Sequence, residues 1–130
     1  MQEQKKILVV DDDIDMLEQV ALILKSEGYQ VIQAQGQKEG EEALLTAIPD
    51  LAVVDLMMEN MDSGFVLCHH VKRLFPETPV ILLTAVKAAT GLDFSPTSQD
   101  AASWVKADVL LDKPVRPEQL RQEVRRLLKV

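Results

Sequence analysis

Four short apolar runs, each closed by a residue able to do chemistry, constrain this chain more than any other feature. Ile7-Leu8-Val9-Val10 leads into Asp11 and Asp12, and Leu51-Ala52-Val53-Val54 into Asp55. Val80-Ile81-Leu82-Leu83 ends at Thr84, and Val109-Leu110-Leu111 is followed within two residues by Lys113-Pro114. Runs this short and this continuous read as strands buried on both faces, as a parallel sheet covered by helices demands. In open α/β sheets ligands bind beyond the carboxyl ends of the strands. Three carboxylates, a hydroxyl and an ammonium from distant segments are therefore expected to meet at one edge.

The intervening segments carry helical patterns. Asp12 or Asp13 can cap a helix with Ile14, Leu17, Val20, Ala21 and Leu24 at helical spacing, ending at Gly28. A second strand spans 30–34, and a helix with Ala43, Leu44 and Ala47 stops before Pro49. Met61-Asp62-Ser63-Gly64 turns into a helix expected to bury Phe65, Cys68, Val71, Leu74 and Phe75. Strands follow at about 79–83 and 108–111, and Pro117 suits the first turn of a final helix with Leu120, Val124, Leu127 and Leu128 inward. Ala85 to Thr97 reads as an unusually long loop. Five βα repeats with right-handed crossovers predict an α/β, flavodoxin-like, doubly wound, five-stranded parallel sheet in the order 2-1-3-4-5, with helices on both faces. That order makes Asp11, Asp12 and Asp55 neighbours.

With 130 residues the chain is expected to form one domain, residues 1–130. No apolar stretch approaches a membrane span and no signal peptide is evident, so the expected location is cytoplasmic, with no membrane contact. A net charge of −7 argues against direct nucleic-acid binding. The basic group Arg116, Arg121, Arg125, Arg126 and Lys129 reads first as a solvated helix face. The lone Cys68 reads as a buried structural thiol. Adjacent on a helix, His69 and His70 point about 100° apart and do not form a two-histidine metal site.

Crowded carboxylates either raise a pKa or recruit a cation. An all-oxygen donor set with room for water and a phosphate oxygen suits Mg²⁺. A carboxylate beside such an ion can attack phosphorus, with Lys113 neutralising charge and Thr84 donating to a phosphoryl oxygen.

Ile7 to Asp13, Asp50 to Met58, Leu83-Thr84-Ala85 and Asp112-Lys113-Pro114 together resemble the four signatures of response regulator receiver domains of two-component signalling. The resemblance covers essentially the whole chain. It implies that Asp55 accepts a phosphoryl group from a sensor histidine kinase or phosphotransfer protein. It further implies Mg²⁺ on Asp12, Asp55 and the Met57 carbonyl, with Asp11 acting through a water. Thr84, Ala85 and Lys113 would form the phosphate-binding and switch set, and the bond to Pro114 would be cis. A downstream protein target or an output domain would read the state, with the chain a monomer or weak dimer.

Three departures stand out from the family pattern. Glu59 replaces a usual proline, Ser63 is inserted before Gly64, and Leu110 replaces the aromatic that commonly reports phosphorylation. The segment holding Trp104 is also enlarged, which suggests that it carries the signal instead. Apolar Met57 and Val86 beside the site predict slow self-dephosphorylation. Two other readings stay open. One is a receiver-like adaptor that acts without phosphorylation. The other is a haloacid-dehalogenase-like phosphatase with Asp11 as nucleophile, although Asp15 departs from that motif and Asp55 would then lack a role.

Overall fold

The computed structural model describes residues 4–56, 58, 63–84, 107–113 and 115–129. Along the chain these form β1 (Lys6–Val10), α1 (Ile14–Ser26), β2 (Gln30–Ala34), α2 (Gln37–Thr46), β3 (Leu51–Asp55), α3 (Ser63–Leu74), β4 (Val80–Thr84), β5 (Val109–Asp112) and α4 (Pro117–Leu128). The strands pair in parallel in the order β2-β1-β3-β4-β5, as the alternation predicts. A helix between β4 and β5, the fourth of the expected repeats, falls outside the described residues, as do the loop from Ala85 and Trp104.

The sheet separates two apolar layers, and alternate strand residues feed each. Ile7, Val9, Val53, Ile81 and Leu83 face Leu17, Val20 and Leu24 of α1 and Leu120 and Val124 of α4. On the other face Leu8, Val10, Ala52, Val54 and Leu82 meet Leu44 of α2 and Leu67, Cys68 and Val71 of α3. Every residue of β3 and β4 is buried, whereas the edge strands β2 and β5 are partly exposed. None of the helices among the described residues is long and apolar enough to cross a membrane.

Helix ends follow local chemistry. Asp13 is the N-cap of α1, its Oδ1 accepting from the Asp15 and Met16 amides at 3.0 and 3.4 Å. At the other end Gly28 adopts φ +92°, which lets its N–H reach Lys25 O and the Tyr29 N–H reach Leu24 O. That is a Schellman closure, with Tyr29 packed on the layer containing Leu24. Pro117 opens α4 in its first turn.

Three packing expectations need correction. Ile14 is 49% exposed, because it stands in the first turn of α1 beyond the sheet's cover. Ala47 caps α2 in extended conformation and is not part of it. In α3 the buried residues are Ser63, Gly64, Leu67, Cys68 and Val71, while Leu74 is 42% exposed and Phe65 and Phe75 are half-buried. Cys68 and Val71 are inward as expected; Ser63, Gly64 and Leu67 extend the buried stripe toward the start of the helix, and Leu74 is its exposed last residue.

Two aspartates fasten the amino ends of the strands. Asp50 accepts the Lys6 amide on Oδ2 at 2.8 Å while its own N–H donates to Lys6 O. Asp108 repeats this with Val80 at 2.8 Å and also receives the Lys72 ammonium at 2.8 Å. Each side chain thereby satisfies an amide that a strand start would otherwise leave open.

Candidate functional site

The register that builds the sheet also aligns the chemistry. Val10 pairs with Val54, so the residues that follow, Asp11 and Asp55, leave the same edge side by side. Thr84, the last residue of β4, lies opposite Asp112, and the Lys113 N–H donates to Thr84 O at 3.0 Å, extending the ladder by one bond. Asp55 ends β3, and the next amide, Leu56 N–H, is held by Leu83 O at 2.9 Å. A further bond, Gly64 N–H to Leu56 O at 2.8 Å, ties the start of α3 to the same peptide.

Side-chain partners then fix the acidic groups. Asp11 is 2% exposed, and its N–H donates to Ala34 O at 3.1 Å. One carboxylate oxygen accepts the Asp13 amide at 2.9 Å, and the other lies 3.3 Å from Lys113 Nζ. Asp55, 5% exposed, places Oδ1 3.0 Å from the same ammonium. Asp12 is exposed, yet one carboxylate oxygen from each of Asp11, Asp12 and Asp55 lies within 4.8 Å of the others. Asp11 and Asp55 thus share one ammonium, with an Asp12 oxygen beside theirs.

The electrostatics follow from burial and this imbalance. Burial raises the Asp55 carboxyl to about 6; the hydrogen bond from Lys113 works against that rise and the charge of Asp11 adds to it. Sequence reasoning anticipated a raised pKa from carboxylate crowding, whereas desolvation is the larger cause here. Burial pulls the Lys113 ammonium down, but its hydrogen bonds and attraction to Asp55 and Asp11 outweigh that and leave it raised. Lys113 is therefore a fixed positive charge at neutral pH.

The structure gathers Asp11, Asp12, Asp55 and Lys113 into one cluster and sets Thr84, 4% exposed, at the neighbouring strand end. Met57, Ala85 and Pro114 lie outside the described residues, as do Glu59 and Val86. Asp13 caps α1, Cys68 is buried, His69 is exposed and His70 half-buried. Leu110 is half-buried against the layer that contains Leu82. The basic group of α4 is partly paired, Arg125 with Glu27 at 2.5 Å and Arg126 with Glu123 at 2.6 Å. Ser63, read as a loop insertion, is the wholly buried first residue of α3. Two features escaped the sequence reading: the Asp13 amide that orients Asp11, and the Leu56–Gly64 bond. A glycine just inside a helix start was the available signal for the second.

The cluster's chemistry fits a hard divalent cation, since all its donors are carboxylate oxygens and they exceed the local positive charge.

Comparison with known proteins agrees with this architecture. The family model described as "Response regulator receiver domain" matches residues 7–125. The response regulator MprA of Mycolicibacterium vanbaalenii is 32% identical over 128 residues, covering 95% of this chain and 50% of that protein. The transcriptional regulatory protein GlrR of Escherichia coli K12 is 42% identical over 79 residues, 61% of this chain and 18% of GlrR. The chain thus spans half or less of these curated relatives. Among solved structures, a CheY-like response regulator receiver domain protein from Methanospirillum hungatei superposes with TM-score 0.82 at 28% identity, covering 98% of this chain and 95% of that one. The response regulator TrrA of Thermotoga maritima, in complex with Mg(2+)-BeF, gives TM-score 0.77 at 27% identity, over 95% and 99% of the two chains. With fold, strand order and nearly the full length in agreement, the chain belongs to the response regulator receiver domain family of two-component signalling.

Proposed function

We propose that residues 1–130 act as one phosphoacceptor receiver domain, with Asp55 as the phosphorylated residue. The observation that carries this reading is the buried Asp55 carboxylate at the end of β3, 3.0 Å from Lys113 Nζ and grouped with the oxygens of Asp11 and Asp12. With its pKa at about 6, Asp55 is mostly ionised at neutral pH and is a competent nucleophile.

In the proposed reaction an Asp55 oxygen forms a bond to the phosphorus of a phosphohistidine as the P–N bond breaks. The electron pair stays on the imidazole of the donor, a sensor histidine kinase or phosphotransfer protein. Mg²⁺, which Asp12, Asp55 and the Met57 carbonyl would hold directly and Asp11 through a water, would neutralise charge on the transferring group. TrrA, whose structure carries Mg(2+)-BeF, supports that assignment by analogy. The Lys113 ammonium, already beside Asp55, pairs with phosphoryl oxygens, and the Thr84 hydroxyl donates to one of them, with Ala85 a member of the same phosphate-binding set. Phosphorylation then favours a conformation that a protein target or output domain reads. The reading has the chain in the cytoplasm, working through proteins and not through direct contact with nucleic acid.

Intact mass after incubation with acetyl phosphate, with and without Mg²⁺, tests this. A single Mg²⁺-dependent phosphoryl adduct that is absent in Asp55→Asn is expected. No adduct on the wild type would favour a phosphorylation-independent adaptor. Phosphate release that survives Asp55→Asn and is lost in Asp11→Asn would make the chain a phosphatase.

A further inference from the structure

The backbone that presents Asp55 is clamped from two sides. On one, Leu56 N–H donates to Leu83 O of β4 at 2.9 Å; on the other, Leu56 O accepts from Gly64 N–H at 2.8 Å. Gly64 is the second residue of α3, in a first turn whose amides have no partner within the helix. Its amide is used instead to hold the peptide next to Asp55. The approach is so close that only glycine fits. A methyl at position 64 would stand 2.5 Å from the Asp55 carbonyl oxygen and 2.8 Å from that of Leu56, and closer still to Leu56 Cα. These are backbone atoms, which cannot rotate away, and ordinary contact requires about 3.5 Å. The start of α3 and the end of β3 would have to part by roughly an ångström.

Gly40 supplies the contrast. A methyl there would meet Leu67 Cδ2 at 2.8 Å, the tip of a side chain that can turn aside, and Val10 Cγ2 at 3.3 Å, where a shift of a few tenths of an ångström suffices. The same chemical change would be absorbed at Gly40 and transmitted to the acidic cluster at Gly64.

We infer that Gly64 is a positioning residue for the site: by lacking a side chain it lets the first turn of α3 lock the Asp55–Leu56 backbone and so set where the Asp55 carboxylate stands relative to Asp11 and Asp12. The inference rests on the phosphoacceptor reading above. It also accounts for the inserted Ser63, which is taken into the buried first turn of α3 and leaves the clamp at Gly64 intact.

The test compares wild type, Gly64→Ala, Gly40→Ala and Val124→Ala, the last removing volume from the layer on the opposite face of the sheet. Thermal midpoint, Mg²⁺ affinity by calorimetric titration and the rate of labelling by acetyl phosphate are measured for each, below all the midpoints. Gly64→Ala is expected to weaken Mg²⁺ binding by about 10- to 100-fold, as loss of groups that orient metal ligands does. Its labelling should slow by about 10²-fold, the usual consequence of an ångström's misplacement. Gly40→Ala should leave the midpoint near that of wild type and Val124→Ala should lower it, and both should leave the two site readouts at the wild-type level. Folded Gly64→Ala with wild-type affinity and labelling overturns the inference. If the wild type itself neither binds Mg²⁺ nor is labelled, the phosphoacceptor reading falls and this inference with it, an outcome visible before any variant is made. If Gly64→Ala does not fold, hydrogen exchange of the wild type decides. A Gly64 amide protected like that of Leu56 supports the clamp, and one exchanging at the rate of a free first-turn amide overturns it.

Discussion

Replacing Asp55 by asparagine should stabilise the metal-free protein, and by an amount that depends on pH in a defined way. The native carboxyl is pushed from 3.8 to about 6, chiefly because it is buried. Since one pKa unit corresponds to about 1.4 kcal/mol, ionising Asp55 in the folded state costs about 3 kcal/mol relative to the unfolded chain. The sign follows from proton uptake. Below the unfolded pKa both states hold the proton and nothing is lost. As pH rises toward the folded pKa the unfolded chain ionises first, so native stability falls, and above it the full cost is present. Asparagine keeps the shape and an acceptor for Lys113, which also retains Asp11 at 3.3 Å. In urea unfolding with chelator present, Asp55→Asn should therefore exceed wild type by about 3 kcal/mol near pH 7.5 and by only about 1 kcal/mol near pH 4.5. A variant no more stable than wild type near pH 7.5, or a difference that does not change with pH, would refute this.

Other consequences are more local. Lys113→Met leaves Asp11 and Asp55 facing each other without their shared cation; because Lys113 is 21% exposed, a loss of about 1–3 kcal/mol at neutral pH is expected, below that of a fully buried pair. Carboxyl-carbon NMR should show Asp55 titrating higher than in wild type, and an unchanged titration would deny the coupling. Asp108→Ala removes the acceptor of the Val80 amide and of Lys72, and should lower stability by about 1–2 kcal/mol without altering Mg²⁺ binding. The phosphoryl group on Asp55 should persist well beyond seconds in the purified protein, from the apolar character of Met57 and Val86; a lifetime of seconds counts against that reading.

Much of the architecture was legible because buried parallel strands must be apolar at every position, which makes their ends conspicuous. Asp11, Asp55 and Thr84 each stand where such a run stops, and the crossover rule then leaves few ways to arrange them. The extent of the buried face of α3 was less legible. Leu67 and Leu74 lie seven residues apart on nearly the same side of the helix, yet Leu67 is wholly buried while Leu74, the last helical residue, is 42% exposed. At the other end the first turn is held against β3 by the bond from Gly64 to Leu56, a tertiary approach with no sequence periodicity. Asp50 and Asp108 were likewise unmarked, since an aspartate before a strand reads as an ordinary turn residue until its partner strand is known. The charge balance was foreseen only in part. Three carboxylates near one lysine were evident, but the degree to which burial lifts Asp55 comes from the layers of helix and sheet around it.

The central claim is that Asp55, and neither Asp11 nor Asp12, carries the phosphoryl group. Its most direct test is to label the wild type with acetyl phosphate and Mg²⁺, reduce the acyl phosphate with borohydride, and locate the resulting homoserine by peptide mass spectrometry. Homoserine in place of Asp55 is the predicted result, and homoserine in place of Asp11 or Asp12 would contradict the account.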